Sequence, residues 1–386
     1  MINIKDLLCL DDFEAPARAF LPRPIFGYIS GGVETNGSLD GNRSAFREWE
    51  FLPRVLVNTK ARHQKTTLFG RTYDLPFGFP PMGSTALAAY RGDDVLAKVA
   101  AKLNTVMIQS GASLTPMEHL KSVGPTAWFQ AYLPGEPDII IPLVERAQAT
   151  GFETLVLTVD VQVSANRENN VRTGYSSPLK PTPRLAWDCM VRPRWLLGTF
   201  ARTVMQYGMP HLENMGFPRI PILGNMERPR MARDGLDWKH VELMRKIWKG
   251  NLVLKGVLSR HDVRIARESG VNGIMVSNHG GRQLDGTISP FRALPGAVAE
   301  AGNMAIMMDS GIRRGTDVLK ALAMGAHFVF VGRPFLYAAA IGGEAAVHHA
   351  ATLLREEISR NMAMLGISSV AEMTRDLLVP RFGPIE

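Results

Sequence analysis

Eight short apolar runs, separated by stretches of helical periodicity, constrain this chain more than any other feature. The runs cover residues 76–82, 105–109, 127–132, 154–160, 251–256, 273–278, 304–311 and 327–332. Helical patterns cover 93–103, 115–122, 138–150, 261–269, 290–301 and 316–324. Strands that alternate with helices pair in parallel, because each crossover returns the chain to the same end of the sheet. Eight such units predict an α/β fold, a TIM (β/α)8 barrel over about 76–345. A doubly wound open sheet is the alternative. Against it, no G-x-G-x-x-G opens a helix after the first strand. The 386 residues are then expected to form one domain, with an amphipathic helical N-terminus and closing helices. A long insertion, about 161–238, follows the fourth strand.

Polar residues sit where such a barrel would use them. Ser110, Gln130, Tyr132, Thr158, Asp160, Lys255, His279, Asp309 and Arg333 each lie at or just past the C-terminal end of a run. Those ends converge on one face of a TIM barrel, where active sites are built. Lys, Asp and Gln are poor choices inside an apolar strand unless they serve that face.

The sixth run leads into SNHGGRQLDG, residues 277–286. Its glycines allow a sharp turn at the strand end. His279 can move a proton near neutral pH. Arg282 can hold a carboxylate through two parallel hydrogen bonds. The pair suits an enzyme acting on a small organic acid. DSGIRRGTD, residues 309–317, and VGRPF, residues 331–335, end the next two runs. Late barrel strands commonly bind phosphate through backbone N–H groups at such turns. Arg313 and Arg333 would add charge-assisted bonds. Lys255 needs a partner, because an unpaired buried ammonium is costly. It could form a Schiff base, or face a cofactor edge that becomes negative on reduction. A phosphate-bearing cofactor nearby favours the second role.

The insertion is too long for an ordinary connection. It interleaves Trp187, Trp195, Phe200, Met205, Tyr207 and Met209 with Arg192, Arg194 and Arg202. It reads either as an excursion packed on the barrel or a neighbouring subunit, or as a basic amphipathic segment at a membrane surface. The net charge of +8 comes without a nucleic-acid-binding motif, so nucleic acid is not an expected partner. No apolar run is long enough to span a bilayer. The acidic N-terminus is no signal peptide. Cys9 and Cys189 show no metal-ligand spacing, and no metal site is expected. A cytoplasmic protein follows, with peripheral contact at the inner face of the cell membrane as an open extension.

YISGG, TVD…NRE, LVLKG, SNHGGRQLDG, DSGIRRGTD and VGRP together resemble the FMN-dependent L-2-hydroxy-acid oxidases and dehydrogenases. Glycolate oxidase, L-lactate dehydrogenase and (S)-mandelate dehydrogenase belong to that family, and the mandelate branch looks most similar. The resemblance runs from about residue 4 to the closing helices. It implies FMN as cofactor and a lactate- or mandelate-like substrate oxidised to its 2-oxo acid. It further implies His279 as base, Asp160 as partner of its imidazole, and Arg282 and Arg167 as carboxylate ligands. Tyr28 and Tyr132 would hydrogen-bond the substrate. Lys255 would face the flavin's pyrimidine edge. Pro81, Met82, Gly83, Ser110, Gln130, Thr158 and Ser277 would contact the ring or ribityl chain. Asp309, Ser310, Gly311, Arg313, Gly332 and Arg333 would hold ribityl and phosphate. A homotetramer is also implied.

Met82–Gly83 stands where many members read Thr-Ala or Thr-Gly, so a side-chain hydroxyl for the flavin is missing there. Tyr28 is followed by Ile29, not a second aromatic. Electrons would pass to a membrane quinone or another carrier, which the basic insertion favours. An oxidase forming hydrogen peroxide and a peptide-modifying flavoenzyme of the same fold are the alternatives.

Overall fold

A computed structural model describes residues 3–215, 219–224 and 233–382. Residues 216–218 and 225–232 of the insertion lie outside the described residues. Eight parallel strands form one sheet: β1 (Phe77–Gly78), β2 (Ile108–Ser110), β3 (Trp128–Ala131), β4 (Thr154–Thr158), β5 (Asn251–Val257), β6 (Gly273–Val276), β7 (Ala305–Met308) and β8 (Phe328–Phe330). Their order in the sheet is β1-β8-β7-β6-β5-β4-β3-β2. The two ends meet through a parallel bridge between Phe79 and Met107. There the Phe79 N–H donates to the Val106 carbonyl at 2.9 Å, and the Ile108 N–H to the Phe79 carbonyl at 3.0 Å. The sheet is thus a TIM barrel. Helices Gly92–Lys102, Met117–Val123, Pro137–Ala149, Trp238–Ile247, Arg260–Glu268, Pro290–Glu300 and Gly315–Ala323 run between its strands.

The ordered strands are shorter than the apolar runs. The excess residues turn inward at the C-terminal rim and leave the ladder. Pro80 and Pro81 show why for the first run: neither has an N–H to give a neighbouring strand.

Side chains alternate across each strand, so residues two apart share a face. Ile108, Trp128, Val156, Val253, Met275, Met307, Phe328 and Phe330 form one buried cluster inside the barrel, closed from below by Leu68 and Tyr73 of the hairpin Thr66–Leu68/Arg71–Tyr73. Two residues further along the same face stand Ser110, Gln130, Thr158, Lys255, Ser277 and Asp309. The inward face therefore reads apolar first and polar last, strand after strand. The outward residues, such as Leu155, Leu157, Leu252, Leu254 and Ile274, join the larger core beneath the helices. With both faces buried, period-2 alternation vanishes from the sequence and only the apolar run survives.

The N-terminal segment closes over the rim. It comprises two 3₁₀ turns and the helices Glu14–Phe20, Arg23–Ser30 and Gly37–Ser44, not one amphipathic helix. Gly31 ends the second helix, but its φ of −69° is not left-handed. Its reason is space: a Cβ there would lie 2.9 Å from the Asn169 Cβ. Asp285 ties this segment to the barrel by accepting the N–H groups of Thr35 at 3.0 Å and Ser38 at 2.7 Å, and the Thr35 hydroxyl. Those donors hold its carboxyl well below the usual range.

The insertion divides in two. Trp195 is buried, its indole N–H donating to the Leu87 carbonyl at 2.7 Å, and Phe200 stacks on it at 5.7 Å. Trp187, Met190, Leu197, Met205 and Tyr207 are exposed. Both expectations for this segment hold in part, each for different residues. Among the described residues, no helix is long and apolar enough to cross a membrane.

Candidate active site

The loop after β6 is built on backbone that few residues tolerate. His279, Gly280 and Gly281 have φ of 58°, 70° and 72°. Glycine adopts this region at little cost, whereas histidine does so against steric strain. Local bonds offset that strain. The Ser277 hydroxyl accepts the His279 N–H at 3.0 Å, and the Ser310 hydroxyl accepts the Gly280 N–H at 3.0 Å. Asn278 exchanges amide bonds with Asn42 at 2.8 and 2.7 Å. A Cβ on Gly281 would meet the Leu39 backbone nitrogen at 2.5 Å, so the loop also needs glycine for the N-terminal segment to pack.

The turn delivers the imidazole to Asp160, with Nδ1 and Oδ1 3.0 Å apart. A carboxylate only accepts, so Nδ1 carries the proton and Nε2 is left as the basic nitrogen. Burial lowers the His279 pKa from 6.5; Asp160 opposes this, while Lys255 and Arg167 add to it. Burial alone would raise the Asp160 carboxyl, but the facing imidazole and Lys255 outweigh it and hold it below its ordinary value. At neutral pH the pair is a neutral imidazole oriented by an ionised carboxylate.

Lys255 is almost wholly buried. Its ammonium lies 3.1 Å from Asp309 and donates to the Ser277 hydroxyl at 2.9 Å. Burial would lower its pKa, yet Asp309 and Asp160 together raise it. A lysine held protonated is a fixed charge and no nucleophile, which removes the Schiff-base option.

These groups open onto a chamber of about 250 Å³ at the C-terminal rim. Of the residues singled out from sequence, Tyr28, Pro81, Met82, Gly83, Tyr132, Arg167, Lys255, His279, Arg282, Asp309, Ser310, Gly311, Arg313, Gly332 and Arg333 line it. Asp160 stands behind His279 and, with Thr158 and Ser277, lines a second cavity of about 520 Å³. Ser110 and Gln130 are buried against each other, the hydroxyl donating to the amide oxygen at 3.1 Å.

The aromatic wall is ordered by stacking. Tyr28 lies on Tyr175 at 4.3 Å, with the Arg282 guanidinium 4.9 Å from its ring centre. Tyr132 is 6.5 Å from the His279 ring, and burial raises its phenol pKa, so it remains a donor. Arg282 donates to the carbonyls of Tyr28 at 2.6 Å and Gly31 at 2.8 Å. Burial, then Arg167, brings its pKa down to about 10. Arg167 donates to the Arg282 carbonyl at 3.0 Å. Arg333 grips the same helix end through Ile29 at 2.9 Å and Gly31 at 3.0 Å; burial, then Arg282, lowers it to about 9. Arg313 lies 3.3 Å from Asp11. All remain cations at neutral pH.

The chamber suits a phosphorylated, planar, hydrogen-bonding cofactor. Gln130 Nε2 and Thr158 Oγ1 are buried with no partner in the protein, although buried polar atoms are nearly always paired. Both stand on the rim face that carries Lys255. A flavin's pyrimidine edge offers the acceptors and donors that these atoms lack. Arg313 and Arg333, beside Gly311 and Gly332, form the basic turn pair that a phosphate requires.

Met215 and Arg233 also line the chamber, and sequence reasoning missed both. The Arg233 guanidinium lies 4.8 Å from the centre of the Tyr132 ring. Neither residue carries a local signal, since both come from the aperiodic insertion. Tyr175 was missed for the same reason.

A family model described as FMN-dependent dehydrogenase matches residues 17–380. The L-lactate dehydrogenase of Pseudomonas entomophila (strain L48) is 37% identical over 385 residues, covering 96% of this chain and 98% of that one. The (S)-mandelate dehydrogenase of Pseudomonas putida is 33% identical over 378 residues, covering 97% and 94%. Among solved structures, that of a monotopic membrane protein, (S)-mandelate dehydrogenase, superposes with a TM-score of 0.89 at 32% identity. It covers 97% of this chain and 100% of that one.

Proposed function

Because the chain belongs to the FMN-dependent dehydrogenases, an oxidoreductase family acting here on 2-hydroxy acids, we propose that His279 is the base of this reaction. We assign the surrounding side chains to binding and orientation. FMN supplies the two-electron acceptor when bound. Arg282, with Arg167 beside it, takes the substrate carboxylate. Tyr28 and Tyr132 donate to the carboxylate and hydroxyl ends. His279 Nε2 accepts the proton that the substrate loses, and Asp160 stabilises the imidazolium that results. Lys255 sets a positive charge at the pyrimidine edge. Pro81, Met82, Gly83, Ser110, Gln130, Thr158 and Ser277 line the ring and ribityl region. Asp309, Ser310, Gly311, Arg313, Gly332 and Arg333 hold the ribityl chain and phosphate.

The observation that carries this reading is the 3.0 Å contact of His279 Nδ1 with Asp160 in the chamber that Arg282 lines. Anaerobic mixing of the purified flavoprotein with L-lactate, glycolate and L-mandelate tests it. One of these acids is expected to bleach the flavin. No bleaching by any of them turns the reading toward a larger, peptide-like substrate.

The exposed apolar residues of the insertion support a peripheral membrane position and a quinone acceptor. Trp187, Leu197, Met205 and Tyr207 sit among Arg184, Arg194 and Arg202, the composition of an interfacial segment. Co-sedimentation with anionic vesicles and quinone reduction test this. Rapid peroxide formation in air would favour an oxidase instead. A homotetramer in one domain per chain is the expected assembly, checked by sedimentation velocity.

A further inference from the structure

We propose that Arg233 recognises the far end of the substrate's side chain, and that this end carries a second acidic group. The proposal rests on the reading of the chamber as a 2-hydroxy-acid site. Arg233 belongs to the short turn Arg233–Gly235 at the end of the insertion, not to a barrel strand. It is half-buried and lines the chamber beside Met215 and Val161. Its guanidinium sits over the same Tyr132 ring that stands 6.5 Å from His279. One aromatic ring thus separates the reacting end of the chamber from Arg233. A side chain attached to the carbon undergoing oxidation has that ring to pass along.

The other cations of the chamber are committed elsewhere. Lys255 faces Asp309, Arg313 lies toward Asp11, and Arg282 and Arg333 hold the end of helix Arg23–Ser30. Arg233 stands in a different sector, with an aromatic face on one side and apolar Met215 and Val161 nearby. A guanidinium has five N–H donors in a planar fork, so contacts within the protein do not exhaust it. That fork matches a carboxylate in two parallel bonds, and partial burial strengthens them. A short methylene spacer would pack on Met215 and Val161. The chemistry describes an L-2-hydroxy dicarboxylic acid, which neither lactate nor mandelate is.

The test uses the FMN-loaded protein with an artificial electron acceptor. Wild type, Arg233→Met and Arg233→Lys are compared on L-malate, L-2-hydroxyglutarate, L-lactate and L-mandelate. Wild type is expected to show its highest kcat/KM with one of the diacids. Arg233→Met is expected to lower that value about 10- to 100-fold, mostly through KM, with the monoacids changing by less than about 3-fold. Arg233→Lys should restore part of the loss. Flavin absorbance titrated with glutarate, which is not oxidised, gives a readout independent of turnover, and the Met variant should bind it more weakly. Preference of the wild type for the monoacids over both diacids overturns the proposal. So does an equal loss on all four substrates. If none of the four acids bleaches the bound flavin, the hydroxy-acid reading itself fails and this inference falls with it.

Discussion

The loop after β6 and the insertion after β4 both reach the chamber, but they are held in opposite ways. In the loop, consecutive residues are fixed by bonds to rigid neighbours: Ser277, Ser310, Asn42 and Asp160 each hold a group of the segment 277–282. The insertion is anchored at points such as Trp195 and leaves apolar side chains such as Met205 exposed. Chemistry that needs a proton acceptor within hydrogen-bond reach belongs on the first kind of segment. Contacts that vary with substrate or surface can be carried by the second.

The sharpest way to break this contrast is at the base. His279→Gln is expected to lower the rate of anaerobic flavin reduction by about 10³- to 10⁴-fold, with flavin content unchanged. A smaller loss would mean that the loop's rigidity serves packing only. The insertion's anchor comes next. Trp195→Ala should destabilise by about 3–5 kcal/mol in denaturant unfolding, because it empties a packed site and orphans the Leu87 carbonyl. Gly281→Ala should cost about 1–3 kcal/mol, since the left-handed φ and the approach to Leu39 both oppose a Cβ.

A pH profile sharpens the comparison further. The folded pKa of His279 is lowered from 6.5 by burial. The neutral, active form therefore persists at pH 6.5, and kcat/KM should fall only as pH drops through the lower folded value. The unfolded imidazole takes up a proton first, so this group also makes the fold less stable as pH falls below about 6.5. An acid limb above pH 6.5 would contradict the burial argument. The smallest effect is expected at the insertion's surface. Trp187→Ser with Met205→Ser should leave stability within about 0.5 kcal/mol, while reducing binding to anionic vesicles.

Much of the site was legible before the fold, for a reason visible in the barrel itself. Lys255, Asp309 and Ser277 each follow an apolar partner by two positions, at Val253, Met307 and Met275. A polar residue ending an apolar run has one structural explanation in a parallel barrel, so the rim could be listed from the chain alone. The strand ends were less legible. Whether Phe79 pairs or Pro81 turns away depends on backbone donors across the sheet.

The sequence by itself determined the barrel, its rim and the His279 loop, because periodicity and glycine placement are local properties. Tertiary structure decided what came from afar. Asp285 ties the N-terminal segment across about 250 residues of chain, and no pattern in either stretch announces the other. Trp195 is buried and Trp187 exposed although both are tryptophans in the same insertion, because only packing distinguishes them. Arg233 reaches Tyr132 from an aperiodic turn. Local propensity reports how a segment folds; which segments meet is settled by burial and hydrogen bonding across the whole chain.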